Sequence, residues 1–166
     1  MALPHWFARF VARPGVSRVA LSIATVVDRP LMRATGGRLR LSFVIPVLLL
    51  RCIGARSGEA REVPLLYVPE GSDALLVASN GGQAREPAWA HNLRAHPDVQ
   101  ALTSKGDHAY RAEELAGAER DDAWARALEV YPGYGIYAEC VTRTIAVFRL
   151  RRVSVPTAAS ASSARL

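Results

Sequence analysis

Gly54 and Gly58 bracket Ala55, Arg56 and Ser57, and Arg61 follows three residues after the second glycine. Glycines at both ends let the backbone turn tightly and expose N–H groups beside a guanidinium and a hydroxyl, the donors that bind a phosphate or carboxylate. The plainer alternative is a surface hairpin with scattered arginines, because short loops of Gly, Ser and Arg are common. A second glycine loop, Ala78-Ser79-Asn80-Gly81-Gly82, lies a few residues ahead of a helix start at Glu86-Pro87. The third constellation is Tyr131, Tyr134 and Tyr137, three apart around Pro132-Gly133, so that three phenols converge on one region. They suit the wall of a ligand pocket; the alternative is core anchors with their hydroxyls at the surface.

Other chemistries have no footing. Ser57 and Ser79 sit in no G-x-S-x-G elbow, which argues against serine hydrolysis. Cys52 and Cys140 are far apart with no C-x-x-C, and His5, His91, His96 and His108 include no i, i+4 pair. The cysteines read as free thiols in a reducing compartment, and no metal is expected. No zinc-finger, RNA-binding or helix-turn-helix pattern appears, so nucleic acid is not expected as a partner.

The elements that must hold these groups are mostly strands. Val47–Ile53 is a Leu- and Val-rich run leading straight into the basic loop, and residues 62–69 and 74–79 form two more, joined by Glu70-Gly71-Ser72-Asp73. Residues 99–103 and 108–115 flank another hairpin signal, Ser104-Lys105-Gly106-Asp107, and residues 144–153 complete about six strands. Consecutive hairpins imply an antiparallel sheet, and one of this size curls into a barrel to hide its edges. One helix starts at Glu86-Pro87 and runs to about Ala95, with Trp89, Asn92, Leu93 and His96 on one face. A second spans residues 118–131, with Trp124, Ala127, Leu128 and Tyr131 at i, i+3, i+4 and i+7. The expected class is α+β, mainly β.

With 166 residues, half of them apolar, the chain suits one domain with a buried core. Residues 1–61 carry ten Arg against Asp28 and Glu59, a surplus of +8, while the remainder is −2, so the basic half seeks anions. All the cations but Lys105 are Arg, which favours bidentate contacts to phosphate and carboxylate. Residues 19–27 imitate a signal peptide, but Asp28, Arg29 and Pro30 stand where a cleavage site should be, and no run reaches the roughly 20 apolar residues of a membrane span. The expected division is an N-terminal helical segment at 1–40, a barrel domain at 41–155 and a disordered tail at 156–166. Trp6, Phe7, Phe10 and Val11 alternate with Arg9 and Arg13, which suits either packing over a pocket or peripheral contact with an acidic membrane face. A cytoplasmic location, free or at the inner face of the plasma membrane, is expected, as monomer or homodimer.

Taken together, LLLRCIGARSGEAREVPLLYV, LLVASNGGQAREPAWAHNLRAHPDV, EVYPGYGIYAE and RTIAVFRL, in this order, resemble the deazaflavin-dependent nitroreductase family of actinobacteria over about residues 40–152. The resemblance implies a split β-barrel that binds coenzyme F420 and passes hydride from its reduced form to quinones, nitroaromatics or similar electrophiles. By matching motif, Arg56, Ser57, Gly58 and Arg61 would hold the phosphate and acidic tail, and Val63, Pro64 and Leu65 would run backbone along the cofactor. Ala78, Ser79, Asn80 and Gly81 would meet the tricyclic ring, Trp89 and Asn92 would close the site, and Tyr131, Tyr134 and Tyr137 would border the acceptor together with Trp89. The chain departs from the family at Ala55, at Arg51-Cys52-Ile53 and at Ala90, where relatives carry a second basic residue, hydroxyls and an aromatic.

The resemblance implies a mechanism that needs no catalytic base. The cofactor carries the hydride, and the protein places the acceptor and stabilises the oxyanion that forms on it, with the hydroxyl of Ser79 or Tyr137 as donor. Two other readings stay open: an FMN- or haem-binding split-barrel protein, and a non-catalytic F420 carrier.

Overall fold

The structure is a computed structural model, and it describes residues 46–153. The N-terminal segment expected at 1–40, its membrane contact, and the tail expected at 156–166 lie outside the described residues.

Six antiparallel strands close into a barrel in the order β1-β2-β3-β6-β5-β4. They are β1 (Val47–Ile53), β2 (Ala60–Glu70), β3 (Asp73–Val77), β4 (Asp98–Thr103), β5 (Gly106–Glu114) and β6 (Val147–Arg152). Hairpins β1–β2, β2–β3 and β4–β5 follow from the turn residues, with Gly71 and Gly106 at positive φ as their turns require. Closure comes from β1 against β4, where Leu49 faces Leu102 and Arg51 faces Gln100, and from β3 against β6. The barrel is split along β2. Residues 60–66 pair only with β1, and the pairing with β3 begins at Tyr67.

Side chains alternate across each strand. Leu48, Leu50, Cys52, Leu76, Phe148 and Leu150 point into the barrel, packed with Trp89 and Leu93. Leu75, Val77 and Val147 point outward and are buried under the helices. Both faces of β3 are therefore covered, which is why its sequence reads as an unbroken apolar run.

Among the described residues three helices flank the barrel: α1 (Ala88–Ala95), α2 (Gly117–Val130) and α3 (Gly133–Glu139). Pro87 is the N-cap of α1 rather than its first helical residue, with an extended backbone. Trp89, Asn92 and Leu93 are buried as expected, but His96 caps the C-terminus of α1 and is exposed. Pro132-Gly133 ends α2, and α3 starts at once, the helical turn after Pro-Gly that puts Tyr134 and Tyr137 on one face. Gly133 permits this junction: a Cβ there would lie 2.4 Å from Cζ of the buried Tyr131.

The family departures have structural places. Arg51 pairs with Asp107, reaches Gln100 Oε1 at 3.0 Å and lies 3.8 Å from Glu62, so it ties β1 to the hairpins on either side. Ala90 is fully buried in the barrel cluster.

Candidate active site

The basic loop, residues 54–59, is closed by its own backbone. Gly54 N–H donates to Glu59 O and Gly58 N–H to Gly54 O, both at 2.8 Å, with Gly58 at φ 68°. Glu59 N–H and an Arg61 nitrogen reach Ser57 Oγ at 3.3 and 3.5 Å, and Arg61 also binds Glu59 Oε2 at 2.6 Å. Arg56 is exposed and has no hydrogen-bond or ion-pair partner among the described residues. One guanidinium is thus free, and a second is held by a carboxylate of the same loop.

Asn92, expected to help close the site, braces this loop. Its Oδ1 accepts from Ala55 N–H at 2.9 Å, and its Nδ2 donates to the buried Cys52 Sγ at 3.6 Å. Burial pushes the Cys52 thiol up, against the smaller opposing pull of that hydrogen bond, so it is protonated at neutral pH. Trp89, one turn earlier on α1, packs edge-on to Phe148 with ring centroids 5.8 Å apart. Arg94 fixes α1 from outside: it pairs with Glu86 and Glu114 at 2.6 Å each and lies over the Phe148 ring. The Arg94 hydrogen bond holds the Glu86 carboxyl below its ordinary range.

The glycine loop starts where β3 ends. Ala78 and Ser79 are buried, and Asn80, Gly81 and Gly82 form a single tight turn at φ 49°, 61° and 76°. Asn80 Nδ2 donates to Arg85 O at 2.9 Å, which fastens the turn to the lead-in of α1. The Ser79 hydroxyl has no hydrogen-bond partner among the described residues. Sequence reading missed Arg143, in the connection from α3 to β6. Its guanidinium donates to the backbone carbonyls of Ala78 at 3.0 Å, Ser79 at 3.2 Å, Gln83 at 3.3 Å and Ala84 at 3.1 Å. The only sequence signal was an arginine between two threonines just ahead of a strand.

The three tyrosines meet, as their spacing suggested. Tyr131 and Tyr134 stack edge-on at 5.2 Å, and Tyr137 lies 6.1 and 6.5 Å from them. All three are buried, in the cluster outside the barrel with Leu75, Val77 and Val147. The hydroxyls of Tyr131 and Tyr137 are not at the surface but 3.1 Å apart in a buried hydrogen bond. Burial first, and that bond second, push the Tyr131 phenol well above its ordinary value; burial does the same at Tyr134. Tyr137 touches the glycine loop, because a Cβ on Gly82 would stand 3.2 Å from its Cδ1.

Val63, Pro64 and Leu65 lie on the split edge of β2, so one side of this backbone meets no described strand. Two of the site's loops are fastened at α1 and its lead-in: Asn92 on α1 holds the basic loop, Arg85 ahead of α1 receives the glycine loop, and Trp89 on α1 is buried in the barrel core. The tyrosines meet this assembly where Tyr137 lies against Gly82.

Residues 25–152 match the family of F420H(2)-dependent quinone reductases. The chain belongs to that family. A Mycobacterium tuberculosis relative named F420H(2)-dependent quinone reductase is 38% identical over 102 residues, which cover 60% of this chain and 62% of the relative. The match thus spans less than two thirds of that relative's length. Among solved structures, one described as an F420-H2 dependent reductase is 38% identical with a TM-score of 0.58, covering 64% of this chain and 94% of its own. A chain described as a domain-swapped dimer is 34% identical with a TM-score of 0.62, covering 75% and 96%. A haem-binding protein from Mycobacterium smegmatis, at 18% identity and a TM-score of 0.51, shares the fold.

The residues of this F420H(2)-dependent quinone reductase family member suit an acidic, oxygen-rich cofactor such as F420. Hydrogen-bonding capacity is left over at each loop: Arg56 and the Ser79 hydroxyl have no partner, and Arg143 Nη1 is buried without one among the described residues. Gly58 adds a positive-φ corner with nothing within 4 Å of a Cβ, so the basic loop offers an open face.

Proposed function

We propose that this chain is an F420H2-dependent reductase that delivers hydride to a quinone, with nitroaromatics and similar electron-poor molecules as further acceptors. The observation that carries this reading is the attachment of the basic loop to α1 through Asn92 and of the glycine loop to the lead-in of α1 through Arg85, which brings an anion-binding loop and a glycine cradle to one short stretch of chain. When bound, reduced F420 supplies a hydride from the central carbon of its deazaflavin ring.

The protein's residues do the rest. Arg56, Ser57, Gly58 and Arg61 hold the phosphate and acidic tail by charge-assisted hydrogen bonds. The open backbone edge at Val63, Pro64 and Leu65 and the loop at Ala78, Ser79, Asn80 and Gly81 orient the ring, while Trp89 excludes water from one side. A quinone carbonyl gains negative charge as it is reduced, and a fixed hydroxyl stabilises that charge. Ser79 is the first donor for this step, because its hydroxyl is uncommitted among the described residues. Tyr137 is the second: either hydroxyl of the Tyr131–Tyr137 pair can donate, and when Tyr131 does, the Tyr137 proton is left for the acceptor. Tyr131 and Tyr134 support Tyr137 and border the acceptor.

Titration of the purified full chain with F420, FMN and haem tests the cofactor, and oxidation of reduced F420 with and without menadione tests turnover. Tight F420 binding with menadione-dependent oxidation is expected. Preferential binding of FMN or haem would overturn the cofactor assignment, and F420 binding without turnover would make the protein a carrier.

A further inference from the structure

Arg143 lies in the connection that feeds β6, far in sequence from the glycine loop, yet it bonds the carbonyls at both ends of that loop. Ala78 and Ser79 supply two acceptors before the turn, and Gln83 and Ala84 supply two after it. The guanidinium thus stands across the mouth of the loop as a clasp. Its own support is firm. Ala78 N–H donates to Ala146 O at 2.9 Å, and Arg120 Nη2 donates to Ile145 O at 3.0 Å, so the segment carrying Arg143 is pinned to β3 and to α2.

Drawing carbonyls together has a second effect. In a trans peptide the C=O and N–H point in opposite directions. Gathering the Ala78 and Ser79 carbonyls on the arginine therefore turns the N–H groups of Ser79 and Asn80 to the other face of the loop. The carbonyls at one face would otherwise repel an electron-rich ring or a developing oxyanion; here their negative ends are neutralised by a cation, and the N–H ends lie opposite. The same clasp sets the backbone from which the Ser79 hydroxyl projects, between a strand end and three consecutive residues of positive φ.

We infer that Arg143 is a positioning residue for hydride transfer: it holds the glycine loop, and with it the Ser79 hydroxyl, in the geometry that receives cofactor and acceptor. This rests on the F420 reading above. Nη2 alone meets carbonyls on both sides of the loop, those of Ala78, Ser79 and Gln83, and Nε adds that of Ala84, so the planar fork grips through two nitrogens at once. Lysine, with one nitrogen, keeps part of this set and loses the second point of attachment.

The test compares wild type with Arg143→Lys and Arg143→Gln in the full chain. Three properties are measured: amide hydrogen exchange without ligand, the F420 dissociation constant by ligand fluorescence, and single-turnover oxidation of bound reduced F420 by menadione at saturating cofactor. Arg143→Gln should speed exchange at residues 79–85 at least tenfold while the strand amides stay protected. The single-turnover rate should fall by more than the affinity, and Arg143→Lys should lie between. Exchange raised equally in strands and loop, or rates unchanged at saturating cofactor, would overturn the positioning role and leave an ordinary structural arginine. Wild type that fails to bind F420 while the loop-specific exchange contrast persists would overturn the cofactor reading, and the positioning role with it, but not the clasp. Normal F420 binding and turnover without that contrast would overturn the clasp alone.

Discussion

The two glycine loops use similar residues in opposite ways. The basic loop is exposed from Ala55 to Ala60, closes on itself, and keeps one guanidinium without a partner among the described residues while the other leans on a carboxylate beside it. The glycine loop begins at buried residues, surrenders four carbonyls to one arginine and abuts a buried tyrosine. Attraction between charges acts over several ångströms and tolerates water, so a loop proposed to grip an acidic tail tolerates small displacements of its side chains. Transfer between two reacting atoms is sensitive to misplacement by about 1 Å, so a loop beside that event must be fixed. Order is concentrated where distance matters.

That contrast breaks most easily at Ser79. Replacing it with Ala removes only a hydroxyl from a backbone held by other contacts, so F420 affinity should persist. Loss of a hydrogen bond made in the transition state slows the reaction by roughly 10- to 1000-fold in a water-excluded site. Single-turnover oxidation of bound reduced F420 by menadione measures it. An unchanged rate would transfer the role to Tyr137, for which Tyr137→Phe is the matching variant.

A pair of glycine substitutions tests rigidity itself. Gly58 and Gly82 both sit at positive φ, where Ala costs about 1–2 kcal/mol. At Gly58 the new methyl meets open space, and the cost should stop there. At Gly82 it stands 3.2 Å from Tyr137 Cδ1 and 3.4 Å from Tyr137 Cα, and neither a helix backbone nor a buried ring gives way freely. The loss there should reach about 3 kcal/mol once crowding is added. Urea unfolding of both variants gives the comparison, and equal losses would mean that the glycine loop is no more constrained than the basic one.

The same contrast explains what the sequence made legible. The strands announced themselves, because covered faces demand apolar runs and the hairpins demand turn residues such as Gly71 and Gly106. The basic loop was visible through its Gly, Ser and Arg, since charge is carried by side-chain identity. The clasp was not visible. Every acceptor of Arg143 is a backbone carbonyl, which any residue supplies, and they lie 59 to 65 positions away. Asn92 stood out at the site by motif, but its bond to the Ala55 N–H, which makes it a brace for the basic loop, depends on how α1 packs beneath that loop. The burial of the Tyr131 and Tyr137 hydroxyls was equally hidden, because the spacing that brings phenols together does not say what covers them.

Smaller effects belong to the exposed loop. Arg56→Ala should weaken F420 binding about tenfold, the scale of one charge-assisted hydrogen bond, with turnover at saturating cofactor little changed. Added salt should narrow the difference between the variant and wild type, since this site is open to water. Equal affinities at low salt would remove Arg56 from the cofactor site.

Glu59 offers the finest probe, because it is the carboxylate that already occupies Arg61. The pair is 2.6 Å apart with both side chains more than half exposed, which places its strength at about 0.2–1 kcal/mol. An incoming phosphate or carboxylate must displace Glu59, or share Arg61 with it, and also meets the repulsion of a like charge. Glu59→Gln removes that competitor while keeping the side chain's length, so F420 should bind more tightly, by about two- to fivefold. Its gain should vanish in an Arg61→Ala background, where there is nothing left to release. The dissociation constants of wild type, both single variants and the double variant form the cycle that isolates this coupling. Equal gains with and without Arg61 would show that Glu59 acts only through the general field of the loop, and weaker binding by Glu59→Gln would show instead that the carboxylate holds Arg61 in its binding position.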